Sequence, residues 1–117
     1  MDVKISVLIV NLNNLDYTKQ CLDDLLNQDI VFNLRLIDQN SSEIGTIDFF
    51  NGFFTKHANG EFHGKINFLE ISNTGYNKPL NHLWNEYVKE SNTEFVCLLN
   101  NDVRLSPNFL SSAISFN

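Results

Sequence analysis

Four short polar segments hold the side chains of this 117-residue chain that could do chemistry. Each segment follows an apolar run typical of a β-strand and is rich in Asn, Asp, Ser or Gly. The segments are residues 11–13, 38–42, 73–78 and 100–102. Carboxylate, amide and hydroxyl groups bind ribose hydroxyls, phosphate-bound cations and other hard divalent ions. The same residue types are common in turns, so any one segment taken alone is more simply explained as a turn.

Three residues in these segments could each contact a nucleotide. Asp38 could accept hydrogen bonds from a ribose or a base N–H group, or it could form a local turn with Ser41. Gly75 could let the backbone approach a ligand closely, or it could supply a turn with a positive φ. Lys78 could bind a phosphate, or it could be a solvated residue at the start of a helix.

Asp102 is the residue best suited to a metal ion. A hard cation such as Mg²⁺ or Mn²⁺ needs only one or two carboxylates, because phosphate oxygens and water complete its coordination. Asp102 could therefore hold a cation that bridges a diphosphate. The alternative is a solvated acidic residue in the turn before Ser106.

The apolar patterns predict the elements that position these segments. They are strands at 4–11, 31–37, 65–72 and 94–99, helices at 14–28, 44–54 and 79–88, and a last helix that opens at Ser106 and Pro107. Asn13 or Asn14 could cap the first helix, and Ser41 or Ser42 is expected near the start of the second. This alternation predicts an α/β domain, three-layered (α/β/α), with a mainly parallel sheet. Ligands of such sheets bind beyond the carboxyl ends of the strands, so we expect the four polar segments along one edge.

Composition and motifs exclude several classes of protein. Hydrophobic residues make up 43% of the chain and charged residues 19%, which is typical of a single globular domain. A net charge of −6 argues against nucleic-acid binding. The sequence has no Walker A, no G-x-G-x-x-G and no G-x-S-x-G motif. Its three histidines lack zinc-like spacing, and no apolar run near the start is long enough to span a bilayer.

The two cysteines, at positions 21 and 97, are expected to be reduced thiols, because no secretory signal precedes them and their neighbours are apolar. We therefore expect a cytoplasmic protein.

Four stretches of the sequence resemble the motifs of family 2 glycosyltransferases, in the same order along the chain. I-S-V-L-I-V-N-L-N at 5–13 resembles their first strand, and L-I-D-Q-N-S-S at 36–42 resembles their second. N-T-G-Y-N-K-P-L-N at 73–81 is similar to their N-x-G segment. L-L-N-N-D-V-R-L-S-P-N-F-L at 98–110 is similar to the D-x-D segment, in the N-x-D form of rhamnosyltransferase-like members.

The resemblance implies a GT-A fold, a nucleotide-diphosphate-sugar donor, a divalent cation (Mg²⁺ or Mn²⁺) and transfer with inversion to an acceptor hydroxyl. It places Asp38 at the base or ribose and Asp102 at the metal, with Asn100 in place of the first acid of D-x-D. The remaining residues expected at the donor are Asn11, Asn13, Asn73, Gly75, Lys78 and Asn101.

The catalytic domain of that family is longer than this chain, and its second half supplies the acceptor site and the catalytic base. Residues 1–117 are therefore expected to form one donor-binding domain of a truncated GT-A type, with no base assigned. The acceptor would be a glycan or a lipid-linked sugar, and the uncovered side of the sheet would favour a homo-oligomer. Two alternatives stay open: a nucleotide-sugar-binding module or gene fragment without turnover, and a flavodoxin-like or receiver-like domain without sugar chemistry.

Overall fold

The computed structural model describes residues 3–11, 13–38, 44–57, 66–73 and 93–115. The four predicted strands are confirmed as β1 (Ile5–Asn11), β2 (Phe32–Asp38), β3 (Ile66–Asn73) and β4 (Phe95–Asn100). Three helices are described: α1 (Leu15–Leu26), α2 (Thr46–Lys56) and α3 (Phe109–Ser115). The helix predicted at 79–88 lies outside the described residues.

The four strands form one sheet in the order β3-β2-β1-β4, and all three pairs are parallel. The chain moves outward from β1 through β2 to β3, and β4 then pairs on the opposite side of β1. The strand order therefore reverses between β1 and β4. In sheets of this class that reversal opens a crevice at the carboxyl edge, where ligands bind.

The register brings the predicted segments to that edge. Asn11 pairs with Asp38, Asp38 pairs with Asn73, and Asn100 pairs with Val10. All four strands thus end together, as expected for the carboxyl ends of parallel strands.

The core explains why β1 is central. No side chain from Ile5 to Ile9 is more than 3% exposed, so both faces of the strand are buried. Alternate residues of β1 pack with the apolar stripe of α1, which includes Leu22 and Leu25. Phe50 of α2 and Leu110 of α3 join the same cluster, and Phe49 and Phe53 pack against it, whereas Phe54 is exposed.

The predicted side-chain caps are replaced by backbone turns. Asn14 occupies the cap position of α1, but its side chain forms no cap hydrogen bond. Asn13 and Asn14 instead adopt positive φ angles of 58° and 56°, which asparagine tolerates better than most residues. Gly45, with φ of 89°, precedes α2 and takes the place expected for a serine, and Ser41 and Ser42 lie outside the described residues.

The last helix begins at Phe109, two residues later than predicted. Ser106 and Pro107 are held in a turn by the end of α1: the Ser106 carbonyl accepts from Gln28 Nε2 at 2.7 Å, and the Pro107 carbonyl accepts from the Asp29 N–H group at 3.0 Å. The Ser106 hydroxyl donates to Asn108 Oδ1 and caps no backbone N–H group. Contacts distant in sequence therefore delay the helix.

Candidate functional site

A network of four polar side chains, from Asn11, Thr18, Asp38 and Asn101, lies at the carboxyl edge of the sheet. Asn11 Nδ2 donates to Asp38 Oδ1 at 2.8 Å, and Asn11 Oδ1 accepts from the Thr18 hydroxyl at 2.5 Å. Asn11, Thr18 and Asp38 are fully buried. Because buried polar groups need partners, these contacts fix the ends of β1 and β2 against the start of α1.

Asn101 joins the network from the other side of the strand reversal. Its Nδ2 atom lies 3.1 Å from Asn11 Oδ1, 3.1 Å from the Asn13 carbonyl oxygen and 3.0 Å from Thr18 Oγ1. The amide has two N–H bonds for these three acceptors, so one is shared. Asn101 thereby ties the residues after β4 to the β1–α1 turn.

Asn100 and Asp102 flank Asn101 in sequence and differ from it in exposure. Both side chains are exposed, whereas that of Asn101 is half-buried. The Asp102 carboxylate forms no hydrogen bond or ion pair with the other described residues. The network thus uses the middle residue of the N-x-D segment and leaves the outer two available to solvent.

The side chains of Asn100 and Asp102 fit a hard cation whose other ligands come from outside the protein. One carboxylate and one amide oxygen are oxygen ligands of the type that Mg²⁺ and Mn²⁺ prefer. Within the described ranges, no group of three or more His, Cys, Asp or Glu side chains could hold a metal ion by itself. A cation at Asp102 would therefore depend on phosphate oxygens and water.

The segment after Asp102 is fastened to α1 through Asp24. Arg104 Nε donates to Asp24 Oδ2 at 2.8 Å and Arg104 Nη2 donates to Asp24 Oδ1 at 3.2 Å. The Leu105 N–H group donates to Asp24 Oδ2 at 2.9 Å. Hydrogen bonding from Arg104, followed by that from Leu105, holds the pKa of Asp24 below its ordinary value, although partial burial opposes this. We call these three residues the Asp24 clamp.

Gln28 holds the segment at its far end. Besides the contact with Ser106, its Oε1 atom accepts from the Leu110 N–H group at 3.0 Å. Gln28 is fully buried and links the end of α1 to the start of α3. Residues 101–110 are therefore held at three places along their length.

Both cysteines are free thiols, as expected. Burial, reinforced by the negative charges of Asp24 and Asp102, raises the pKa of Cys21 to about 11. Burial also raises the pKa of Cys97. Neither thiol is poised to act as a nucleophile near neutral pH.

The structure brings together four of the predicted donor residues, namely Asn11, Asn13, Asp38 and Asn101, and places Asn73 beside Asp38 in the sheet register. Asp38 has no exposed surface here and is held by Asn11, so its contact with a nucleotide stays a prediction. Gly75 and Lys78 lie outside the described residues.

Sequence reasoning missed Thr18, Asp24, Gln28 and Arg104. Each lies on a helix or loop where its residue type is ordinary, and the Asp24–Arg104 pair spans 80 positions. No local pattern predicts such a pair. Gln28 gave no sequence signal either, because a glutamine after an apolar helix stripe is ordinarily solvated.

The parallel sheet and its polar edge define a class of fold. Comparison with solved structures shows that the chain has the α/β fold of glycosyltransferases of the GT-A type, as predicted. No known family model matches the chain, and no curated protein matches it in sequence.

Three similar structures give the extent of the likeness. S. aureus TarS 1–349 superimposes with a TM-score of 0.74 at 23% identity, covering 97% of this chain and 32% of that one. A second structure of S. aureus TarS also gives a TM-score of 0.74 at 23% identity. This match covers 97% of this chain and 19% of the TarS chain. The mannosyltransferase PcManGT from Pyrobaculum calidifontis, in complex with GDP-Man and Mn²⁺, gives a TM-score of 0.78 at 16% identity, covering 97% and 32%. The chain thus spans about a third or less of the length of these proteins.

Across the described parts of the chain, no helix is long and apolar enough to cross a bilayer.

Proposed function

We propose that this chain is the donor-binding part of a glycosyltransferase and binds a nucleotide-diphosphate sugar together with a divalent cation. The observation that carries the proposal is the likeness, over 97% of the chain, to a mannosyltransferase in complex with GDP-Man and Mn²⁺. Asp102 supports it as well: the residue is exposed, has no hydrogen-bond or ion-pair partner among the described residues and lies next to the strand reversal, where ligands of such sheets bind.

Asp102 and Asn100 would hold the cation, in this proposal. When bound, a divalent cation stabilises the charge that develops on a departing nucleoside diphosphate. Asn11, Asn13, Asp38 and Asn101 are proposed to line the donor site, because their mutual hydrogen bonds bring them together at the carboxyl edge of the sheet. Asn73, Gly75 and Lys78 are proposed as further donor contacts from the sequence resemblance.

The finer assignment follows the sequence resemblance alone. We propose a family 2, rhamnosyltransferase-like enzyme in which residues 1–117 form one donor-binding domain and transfer proceeds with inversion to an acceptor hydroxyl. The acceptor site and the catalytic base would lie outside these residues. Mg²⁺ or Mn²⁺ would serve as the cation.

The test is calorimetric titration of the chain with GDP, UDP and dTDP, each with and without Mn²⁺. We expect at least one nucleoside diphosphate to bind in a Mn²⁺-dependent manner, and we expect Asp102→Ala to weaken that binding at least about tenfold, because the change removes a metal ligand. Asp23→Ala, which removes an exposed carboxylate from α1, is the matched control and should bind like the wild type. Binding that is independent of both Mn²⁺ and Asp102 would overturn the proposal.

Turnover separates transfer from binding alone. Release of free nucleoside diphosphate from a sugar nucleotide, followed with and without simple sugar acceptors, would show an active enzyme. Metal-dependent binding without any release would instead favour the alternative, a nucleotide-sugar-binding module.

A further inference from the structure

We infer that Arg104 is a positioning residue for the proposed cation site: through the Asp24 clamp it holds the backbone that carries Asp102. This role rests on the proposed function, because it presupposes a cation at Asp102. The contacts that support it are all between described residues and do not depend on that function. Arg104 lies two residues after Asp102 and is fastened to α1, whereas Asn101 lies one residue before it and is fastened to β1 and the β1–α1 turn.

Asp24 is well suited to act as the fixed half of the clamp. It lies on α1, whose buried stripe is part of the core, and its side chain is only 13% exposed. Both of its carboxylate oxygens are engaged, by two guanidinium nitrogens and by the Leu105 N–H group. A bidentate pair of this kind fixes direction as well as distance, and the extra backbone contact fixes the chain itself.

Arg104 contributes little to the fold. Its side chain is 65% exposed, and ion pairs with so exposed a partner add little to stability. Val103 and Leu105 already pack against the core and keep the segment near the sheet. The specific consequence of the clamp is therefore the orientation of residues 102 and 103, which lie between the contacts of Asn101 and those of Arg104 and Leu105.

A direct contact between Arg104 and the diphosphate is the competing role. The two roles predict opposite results when Asp24 is neutralised. If Arg104 positions Asp102, breaking the pair from either side weakens cation-dependent binding. If Arg104 binds phosphate directly, Asp24→Asn frees the guanidinium and strengthens binding.

The experiment compares Arg104→Ala, Asp24→Asn, their double variant and Arg104→Lys. Asp48→Asn, which neutralises an exposed carboxylate on α2, is the control. In the nucleotide-free chain, we expect the Leu105 amide of Arg104→Ala and Asp24→Asn to exchange with solvent at least about tenfold faster, while core amides of β1 stay protected. Arg104→Lys should retain part of the protection, and Asp48→Asn should match the wild type.

The second measurement is the affinity for GDP, UDP and dTDP with Mn²⁺. We expect Arg104→Ala and Asp24→Asn each to weaken it about two- to fivefold, because both break the Asp24–Arg104 pair. Arg104→Ala also removes the 3.3 Å hydrogen bond from Arg104 Nη1 to Gln20 Oε1, so the double variant should be no weaker than Arg104→Ala. Unchanged exchange at Leu105, additive losses, or tighter binding by Asp24→Asn would overturn the positioning role. If the variants lose protection at Leu105 but the wild type binds no nucleoside diphosphate, the proposed function is refuted. Arg104 would then only order the loop that follows β4.

Discussion

At the scale of single residues, the side chain of Asn11 connects the most elements of the site. Its amide group donates to Asp38 and accepts from Thr18 and Asn101, so one side chain connects two strands, a helix and a loop. Sequence periodicity could place Asn11 at the end of a buried strand, but it could not assign these partners. Each of them depends on how the strands are ordered in the sheet.

Replacing Asn11 should destabilise the fold. In Asn11→Ala, the buried Asp38 carboxylate and Thr18 hydroxyl each lose a partner, and we expect the free energy of unfolding to fall by about 2–3 kcal/mol. Urea denaturation followed by circular dichroism measures the change. Asn51→Ala, on the exposed side of α2, is the control and should change stability by less than about 0.5 kcal/mol. Equal effects of the two substitutions would show that the hydrogen-bond network does not contribute to the free energy of unfolding.

At the scale of elements, the segment from β4 to α3 is positioned by α1. Asp24 lies in the last turn of α1 and Gln28 lies just beyond its end; together they engage Leu105, Ser106 and Leu110. The strands and α1 could be predicted because their apolar periods are local properties of the sequence. The start of α3 could not, because it depends on hydrogen bonds from residues about 80 positions earlier.

The Asp24 clamp also predicts a pH dependence. The pKa of Asp24 is lower in the folded chain than its ordinary value of 3.8, so the small contribution of the ion pair to stability is fully present above that value. As the pH falls through the lowered pKa, Asp24 becomes protonated and the stabilisation is lost. We expect wild type and Arg104→Ala to differ in urea midpoint by a constant amount from pH 5 to 7 and to converge below about pH 3.8. A difference that grows on acidification would contradict this sign.

At the scale of the whole molecule, the order β3-β2-β1-β4 joins the parts of the site. An α/β alternation in sequence predicts a parallel sheet, but several strand orders satisfy it. Only the order with β4 beside β1 places Asn101 against Asn11 and puts Asp102 next to the strand reversal. The candidate site could therefore be predicted as a set of segments, whereas their convergence is a property of the topology.

The central claim is that a nucleoside diphosphate and a divalent cation meet at Asp102, and paramagnetic broadening tests it most directly. Mn²⁺ would be titrated into the ¹⁵N-labelled chain with and without the nucleoside diphosphate that binds best. We predict that backbone amide resonances of residues 100–103 broaden strongly only when both are present, that those at the end of α2 do not, and that Asp102→Ala abolishes the effect. Broadening centred elsewhere, or equal broadening in Asp102→Ala, would contradict the account.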